Sequence, residues 1–475
     1  MRRILAGLLL LVPAIASAQQ AVVDELMQFL AIPNLASDRP NIEKNAQAIV
    51  TMFARRGVTA RLLRLEGVPP IVVADVTARR PSNRTIAFYA HYDGQPADRS
   101  QWATDPWQPV IKPAGPLGPE SRIYARSASD DKAPIVALAA ALDRIRASNR
   151  LPSVNLRFVF EGEEEVGSPH LAQYLEKYSD ELSPDAWILC DGPVHQNRRP
   201  LLYFGARGVT GVELTVYGPS RSLHSGHYGN WAPNPIVTLT HLIDSMRDRD
   251  ARILIEGFYE DVRPLTTAER AAIDAAPLFD DSIRRELAIG RVEGAGTLNE
   301  RILQPALNLR GIAGGRVGEL ASNSIPIDAR ASIDFRLVPA QTPERVRELV
   351  ERHITRQGFF IVRDEPDAAT RTAHPNVVRV QWSSGGYPPA RTPVDSPIGQ
   401  QIAKIMAGAG HDPILLPSLG GSIPMHLFQR GGTVPVIGVP IVNHDNNQHA
   451  ANENLRLQNF WDGIEIYAAL FAGLQ

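Results

Sequence analysis

The chain has 475 residues, enough for about three domain-sized portions at roughly 150 residues each, so it can bury a substantial core without disulfide staples. Its 49 Lys and Arg against 51 Asp and Glu leave a formal charge of −2 with no dominant block of like charge, which excludes the electrostatic footprint of a nucleic-acid binder. With 44% hydrophobic, 21% charged and 7% aromatic residues the chain is neither disordered nor fibrous, and its single cysteine, Cys190, excludes disulfide scaffolds and cysteine-based zinc fingers.

Arg2 and Arg3 precede an apolar stretch from Ile4 to Ile15, and Ala16-Ser17-Ala18 supplies a small-x-small cleavage pattern. Residues 1–18 are therefore expected to be a signal peptide and the mature chain to begin at Gln19. The apolar stretch covers about twelve residues against the ~20 needed to cross a bilayer, so the expectation is an exported protein, periplasmic or secreted, with no membrane span. Helical spacing follows through Val23, Leu26, Phe29 and Leu30, and again from Glu43 to Arg56. Short apolar runs, Ile71-Val72-Val73-Ala74, Thr85 to Ala90, Leu156 to Phe160 and Ala186 to Cys190, then read as buried strands. Helical segments at Pro134 to Ile145 and Pro169 to Tyr178 separate some of them. Cys190 ends the last run and reads as a small core hydrophobe. Strands alternating with helices predict an α/β sheet, mixed and mostly parallel, covered on both faces.

Beyond Tyr203 the pattern changes. Val212 to Val216 alternates as a half-buried strand does, helical spacing recurs at Asn234 to Met246 and Pro343 to Gln357, and a polar helical insert spans about Leu265 to Leu287. The first pattern resumes near Pro397, with a helix from Ile398 to Ala407, a strand at Val434 to Val439 and a last helix from Leu457 to Leu474. The predicted organisation is a catalytic domain at 19–204 and 384–475, interrupted by a smaller α+β domain at 205–383.

In open sheets of this kind ligands sit beyond the carboxyl ends of the strands. There the sequence places His91-Tyr92-Asp93-Gly94, the acidic turn Glu161 to Ser168, Asp191-Gly192, and Asn443-His444-Asp445 with His449; Ser129-Asp130-Asp131-Lys132 lies just before the helix at Pro134. Taken singly, each is an ordinary turn or helix cap. Carboxylates converging on one crevice, however, repel one another unless cations neutralise them. Two dications balance three acidic ligands and one hydroxide, with two neutral imidazoles completing the shells, and such a donor set suits zinc or manganese.

His91-x-Asp93, Asp130-Asp131-Lys132, Glu164-Glu165 before Val166-Gly167-Ser168, Asp191-Gly192, Ser222-Leu223-His224-Ser225-Gly226 and His449-x-x-Asn452-Glu453 stand in an order that resembles a family of dinuclear metallopeptidases. That family includes carnosine dipeptidases, glutamate carboxypeptidases, aminoacylases and succinyl-diaminopimelate desuccinylase. The chain is most similar to the carnosine-dipeptidase branch, through Glu161-Gly162-x-Glu164-Glu165, Arg336-Leu337-Val338-Pro339 and Gly420-Gly421-Ser422-Ile423-Pro424. The resemblance implies two divalent cations, zinc first, with manganese or cobalt as alternatives. His91 and Asp191 would bind one, Glu165 and His449 the other, and Asp130 would bridge. It further implies Glu164 as the general base on a metal-bridging hydroxide, with Asp93 orienting His91. Extended backbone at the acidic turn would aim Glu164 and Glu165 in opposite directions. His224 would reach the active site of a partner subunit, which implies a homodimer built on the inserted domain. Arg336, Asn323, Gly421 and Ser422 would hold the substrate's free carboxylate.

The chain departs from the family pattern at Ser127 and Ala133, where glycine is usual, and at Leu419, where the carnosine-type enzymes carry an acidic residue for the substrate's amine. The expected function is hydrolysis of the amide bond preceding a free-carboxylate residue in a small peptide. The alternatives are an N-acyl amino acid deacylase and a non-catalytic periplasmic peptide-binding protein.

Overall fold

The computed structural model describes residues 17–475. The expected signal peptide, residues 1–18, lies outside the described residues except for Ser17 and Ala18, which are part of a helix continuing to residue 30. Among the described residues, no helix is long and apolar enough to cross a membrane.

Eight strands form the larger sheet, in the order Ala60–Leu63, Ile71–Val76, Asn155–Glu161, Thr85–His91, Ala186–Leu189, Val436–Gly438, Leu201–Tyr203 and Ile414–Leu416. The four strands from Asn155–Glu161 to Val436–Gly438 are parallel, and antiparallel pairings lie on either side of them. The run at Thr85–His91 is apolar throughout because both its faces are covered. Ile86, Phe88 and Ala90 enter one core with the helices Arg39–Ala54, Lys132–Ala147 and Leu457–Gly473, while Ala87 and Tyr89 enter a second core with Trp187 and Phe428. Cys190 is fully buried in the first.

The smaller sheet runs Ala306–Ala313, Asp328–Leu337, Gly208–Tyr217, Val377–Trp382 and Phe360–Val362. Phe335, Ile333, Ala331, Val212 and Leu214 point to one face, where the helices Pro235–Met246 and Pro343–Arg356 pack on them. Arg336, Asp334 and Ser332 alternate onto the helix-free face.

The polar insert forms two helices, Thr267–Ala275 and Asp280–Glu286. The first of them packs on Ile414–Leu416, the edge strand of the larger sheet. Its alanines cover that edge, Ala276 joins Leu201, Ile414 and Leu416 in a small apolar cluster, and the buried Glu269 pairs with Arg391 at 2.7 Å. A segment expected to belong with the smaller sheet thus straps it to the larger one, because an uncovered sheet edge is unfavourable.

Gly438 shows how tightly the larger sheet is built. A Cβ added there would lie 1.9 Å from the ring of the fully buried Tyr203, whose hydroxyl donates to the Asp191 carbonyl at 2.9 Å. Gly438→Ala is expected to lower stability by about 1–3 kcal/mol, read as a fall in the urea midpoint; an unchanged midpoint would contradict this packing.

Candidate metal centre and active site

His91 is the last residue of its strand, Asp191 follows Ala186–Leu189 by two residues, and His449 stands on the loop after Val436–Gly438. These strands are parallel, so their carboxyl ends share one edge of the sheet. Asp130 arrives from the loop before Lys132–Ala147 and sits between the two histidines. Its Oδ1 is 3.0 Å from His91 Nε2 and its Oδ2 is 3.0 Å from His449 Nε2; the latter nitrogen is also 3.1 Å from Glu165 Oε2. Two trios sharing Asp130 result, His91–Asp130–Asp191 and Asp130–Glu165–His449, each with its donor atoms within 4.8 Å of one another. Glu164 stays outside both, with Oε2 4.0 Å from His91 Nε2.

The acidic turn is not extended. Glu164–Val166 is a short 3₁₀ helix closed by Gly167 at φ 87°, so rotation about a tight helix, rather than strand alternation, separates Glu164 from Glu165. The buried Asp93 fixes this turn: its Oδ1 and Oδ2 accept from the backbone N–H groups of Glu164 and Glu165 at 3.1 and 3.0 Å, and Oδ1 lies 3.3 Å from His91 Nδ1. The other two glutamates of the turn face elsewhere, Glu161 onto the Tyr89 hydroxyl and Glu163 onto His170.

Glu453 anchors the Asp130 loop. It is fully buried, and its Oε1 accepts from the Ser129 N–H and hydroxyl and from the Asp130 N–H, while Oε2 accepts from the Ser127 N–H and Arg126 Nη1. It stands four positions after His449, so one stretch of chain carries an imidazole into the site and pins the loop that carries Asp130. Ser127 adopts φ 61°, the left-handed conformation that favours glycine, and its hydroxyl accepts from Asn34 Nδ2 at 2.9 Å. Gln95 Nε2 donates to Glu165 Oε2 at 2.8 Å. Sequence reasoning assigned no role to Glu453, Gln95 or Tyr203. Among these three, Glu453 alone stands in the His449-x-x-Asn452-Glu453 pattern, which is its one signal in the sequence.

Burial raises the Asp191 carboxyl to about 7, with Asp130 adding to the shift. Burial also pushes Glu164 well above the usual carboxylate range, with His91 opposing and Asp191 and Glu165 reinforcing. The contacts of His449 with Asp130 and Glu165 raise it to about 10. Burial works against charge on His91, but Asp130 and Asp93 outweigh it and hold the imidazole well above its ordinary range. Asp130 Oδ2 is buried and makes no hydrogen bond of normal geometry, although it lies 3.0 Å from His449 Nε2. Carboxyls that resist ionisation, imidazoles that draw in protons and an orphaned carboxylate oxygen between them are the signs of a site short of positive charge. The donors present therefore fit divalent cations, and the mixed imidazole and carboxylate set suits zinc.

A second locus lies where the two sheets meet. Arg336 Nη1 donates to Ser422 Oγ at 2.8 Å, Arg336 Nε pairs with Asp334 at 3.0 Å, and the Arg207 N–H donates to the Gly421 carbonyl at 3.1 Å. Arg207, which sequence reasoning passed over, is buried beside Arg336; burial and that neighbouring charge lower its guanidinium to about 10. Arg336, Gly421 and Ser422 are thus brought together. His224 and Asn323 are not brought to the acidic cluster: both are exposed, His224 is paired with Ser324, and the Asn323 carbonyl accepts from the Ser225 N–H.

Residues 87–472 match the family described as "Peptidase family M20/M25/M40", and the chain belongs to that family. It is 28% identical over 466 residues to the Cys-Gly metallodipeptidase dug1 of Schizosaccharomyces pombe, covering 94% of each chain. It is also 28% identical to the Beta-Ala-His dipeptidase of Homo sapiens, covering 85% of this chain and 77% of that one. Among solved structures, an M20 family metallo-carboxypeptidase from Sulfolobus solfataricus superposes with a TM-score of 0.79 at 29% identity, covering 95% of this chain and 98% of the other. Human carnosine dipeptidase 1 gives 0.73 at 25% identity over 96% of each. The α/β architecture with a second, smaller sheet is that of these enzymes.

Removing Glu453 would leave Arg126 buried without its partner and three loop N–H groups without acceptors. Glu453→Ala is expected to lower stability by about 3–5 kcal/mol, measured by urea denaturation. A loss below about 1 kcal/mol, ordinary for a surface pair, would contradict the anchoring role.

Proposed function

We propose that this chain is a metal-dependent hydrolase that cleaves the amide bond preceding a residue with a free carboxylate, as a dipeptidase or carboxypeptidase-like enzyme. The observation that carries this reading is the pair of trios sharing Asp130, with Glu164 beside His91 and part of neither trio. His91 and Asp191 would hold one divalent cation, Glu165 and His449 the other, and Asp130 both; zinc fits this set, and manganese or cobalt are the alternatives. Bound cations at these positions supply the positive charge that acidifies a water molecule and polarises an amide carbonyl. Glu164 takes the proton of the attacking water and returns it to the leaving nitrogen, a role suited to a carboxyl that stands beside the ligands without joining them. Asp93 keeps Glu164 and Glu165 in register through their backbone N–H groups. Arg336, Ser422 and Gly421 hold the substrate's carboxylate, with the guanidinium as the charged donor.

The exposed His224 and Asn323 complete the site from a partner subunit, which makes the enzyme a homodimer joined through the unit at 205–383, while 19–204 and 384–475 carry the catalysis. The edge strand Ala306–Ala313 supports this reading, since it and the segment after it expose Leu309, Ile312, Val317 and Leu320 on the same unit. Export through residues 1–18 to the periplasm or the medium belongs to the same proposal, and N-terminal sequencing of the mature protein, expected to begin at Gln19, tests it.

One observation favours a second reading, N-acyl amino acid hydrolysis. A Cβ at Gly192 would lie 3.7 Å from Leu419 Cδ1, so an aliphatic side chain stands beside the metal ligand candidate Asp191. An aliphatic group offers nothing to a free amine and accommodates an acyl group. A panel of dipeptides and N-acetyl amino acids separates the two readings, with dipeptides expected to turn over faster. Either activity should vanish with a chelator and return on adding zinc or manganese, and Glu164→Gln should lose at least about 100-fold in kcat while keeping its metal. If the unmutated protein binds but hydrolyses nothing in the panel, a peptide-binding role replaces both.

Mixing inactive His224→Ala and Glu164→Gln subunits in equal amounts should restore about a quarter of full activity, because half the dimers are mixed and each mixed dimer holds one complete site. No restoration after verified subunit exchange would contradict the contribution of His224 across the interface.

A further inference from the structure

We infer that the stacked side chains of Tyr387 and His426 form the wall of the subsite that receives the side chain of the carboxylate-bearing residue, and that this wall selects large uncharged side chains over cationic ones. The inference rests on the proposed amide hydrolysis and deepens it by naming a substrate class.

The register of the smaller sheet puts this wall next to the carboxylate locus. Val209 stands opposite Arg336 in one direction and opposite Tyr387 in the other, where Tyr387 and Val209 exchange backbone hydrogen bonds of 2.9 and 3.0 Å. Directly opposed residues in antiparallel pairs point to the same face, so Arg336, Val209 and Tyr387 form one row on the helix-free face. Gly208 lets the chain pass this closely, since a Cβ there would meet the Tyr387 carbonyl oxygen at 2.7 Å and the Pro389 nitrogen at 2.5 Å. A single segment of the other unit covers the row: Ser422 accepts from Arg336, and four residues later the His426 ring stacks on Tyr387 with centroids 5.2 Å apart and planes 12° from parallel.

The chemistry of the wall follows from its surroundings. Burial lowers His426 to about 4, so its ring is neutral at neutral pH. Burial pushes the Tyr387 hydroxyl well above its ordinary range, with Glu164 adding and Arg336 opposing, so it keeps its proton and lies within electrostatic reach of both the proposed base and the carboxylate clamp. Tyr387 feels both Arg336 and Glu164, so the space it borders lies beside a substrate whose carboxylate meets the one and whose amide meets the other. Two flat neutral rings favour an aromatic or branched aliphatic group there. The adjacent charges of Arg336 and Arg207 disfavour a lysine or arginine.

The test compares kcat/KM for Ala-Gly, Ala-Leu, Ala-Phe and Ala-Lys in the metal-loaded enzyme. The unmutated enzyme should prefer Ala-Phe to Ala-Lys by at least about tenfold. Tyr387→Ala should reduce the Ala-Phe to Ala-Gly ratio by about tenfold through KM, and Tyr387→Phe should retain the preference. His426→Ala reads the same wall from its other ring and serves if Tyr387→Ala folds poorly, as judged by its circular dichroism and melting temperature. Equal losses on all four dipeptides, or faster hydrolysis of Ala-Lys than of Ala-Phe by the unmutated enzyme, would overturn the assignment while leaving dipeptide hydrolysis intact. No hydrolysis of any dipeptide would overturn the underlying reading and this inference with it.

Discussion

Mutual repulsion among buried carboxyl groups is the constraint on which the structure depends. Asp130, Asp191, Glu164 and Glu165 meet at one sheet edge, and burial makes ionisation of Asp191 and Glu164 unfavourable without compensating charge. His91 and His449 respond by drawing in protons, but two imidazoles do not match four carboxyls. Divalent cations would resolve the conflict from outside the chain, and the split of one carboxylate between two histidines would provide a place for two of them.

Bringing such groups together requires anchors that are themselves charged and buried. Asp93 and Glu453 do this work away from the trios, one accepting from the backbone of the acidic turn and the other from the backbone of the Asp130 loop. Each carboxylate is satisfied by N–H groups or by Arg126, so each is tolerated where an unpaired charge would not be. The helical strap from Thr267 to Ala275 and the contact of Arg336 with Ser422 join the two sheets. The proposed carboxylate site is therefore built across two units rather than within one.

Much of this was legible in the sequence for physical reasons. The runs at Thr85 to Ala90 and Ala186 to Cys190 announce strands buried on both faces, and polar residues at their carboxyl ends stand out because the preceding residues are apolar. Other features were not legible. Ala60–Leu63, Leu201–Tyr203 and Ile414–Leu416 are three- or four-residue strands whose membership is decided by pairing partners, not by their own pattern. The acidic turn reads as extended, whereas its own backbone hydrogen bonds, Gly167 and the Asp93 carboxylate hold it as a 3₁₀ helix. Glu453 meets a loop 323 positions away and Tyr387 is placed by Val209 from a distant strand, relations that no local spacing reveals.

The central claim is that two divalent cations sit on either side of the Asp130 carboxylate. Anomalous X-ray scattering from crystals grown with zinc and recorded at the zinc absorption edge tests it most directly. The account predicts two peaks, one among His91, Asp130 and Asp191 and the other among Asp130, Glu165 and His449. The absence of a peak beside Asp130, or zinc bound only elsewhere on the chain, would contradict it.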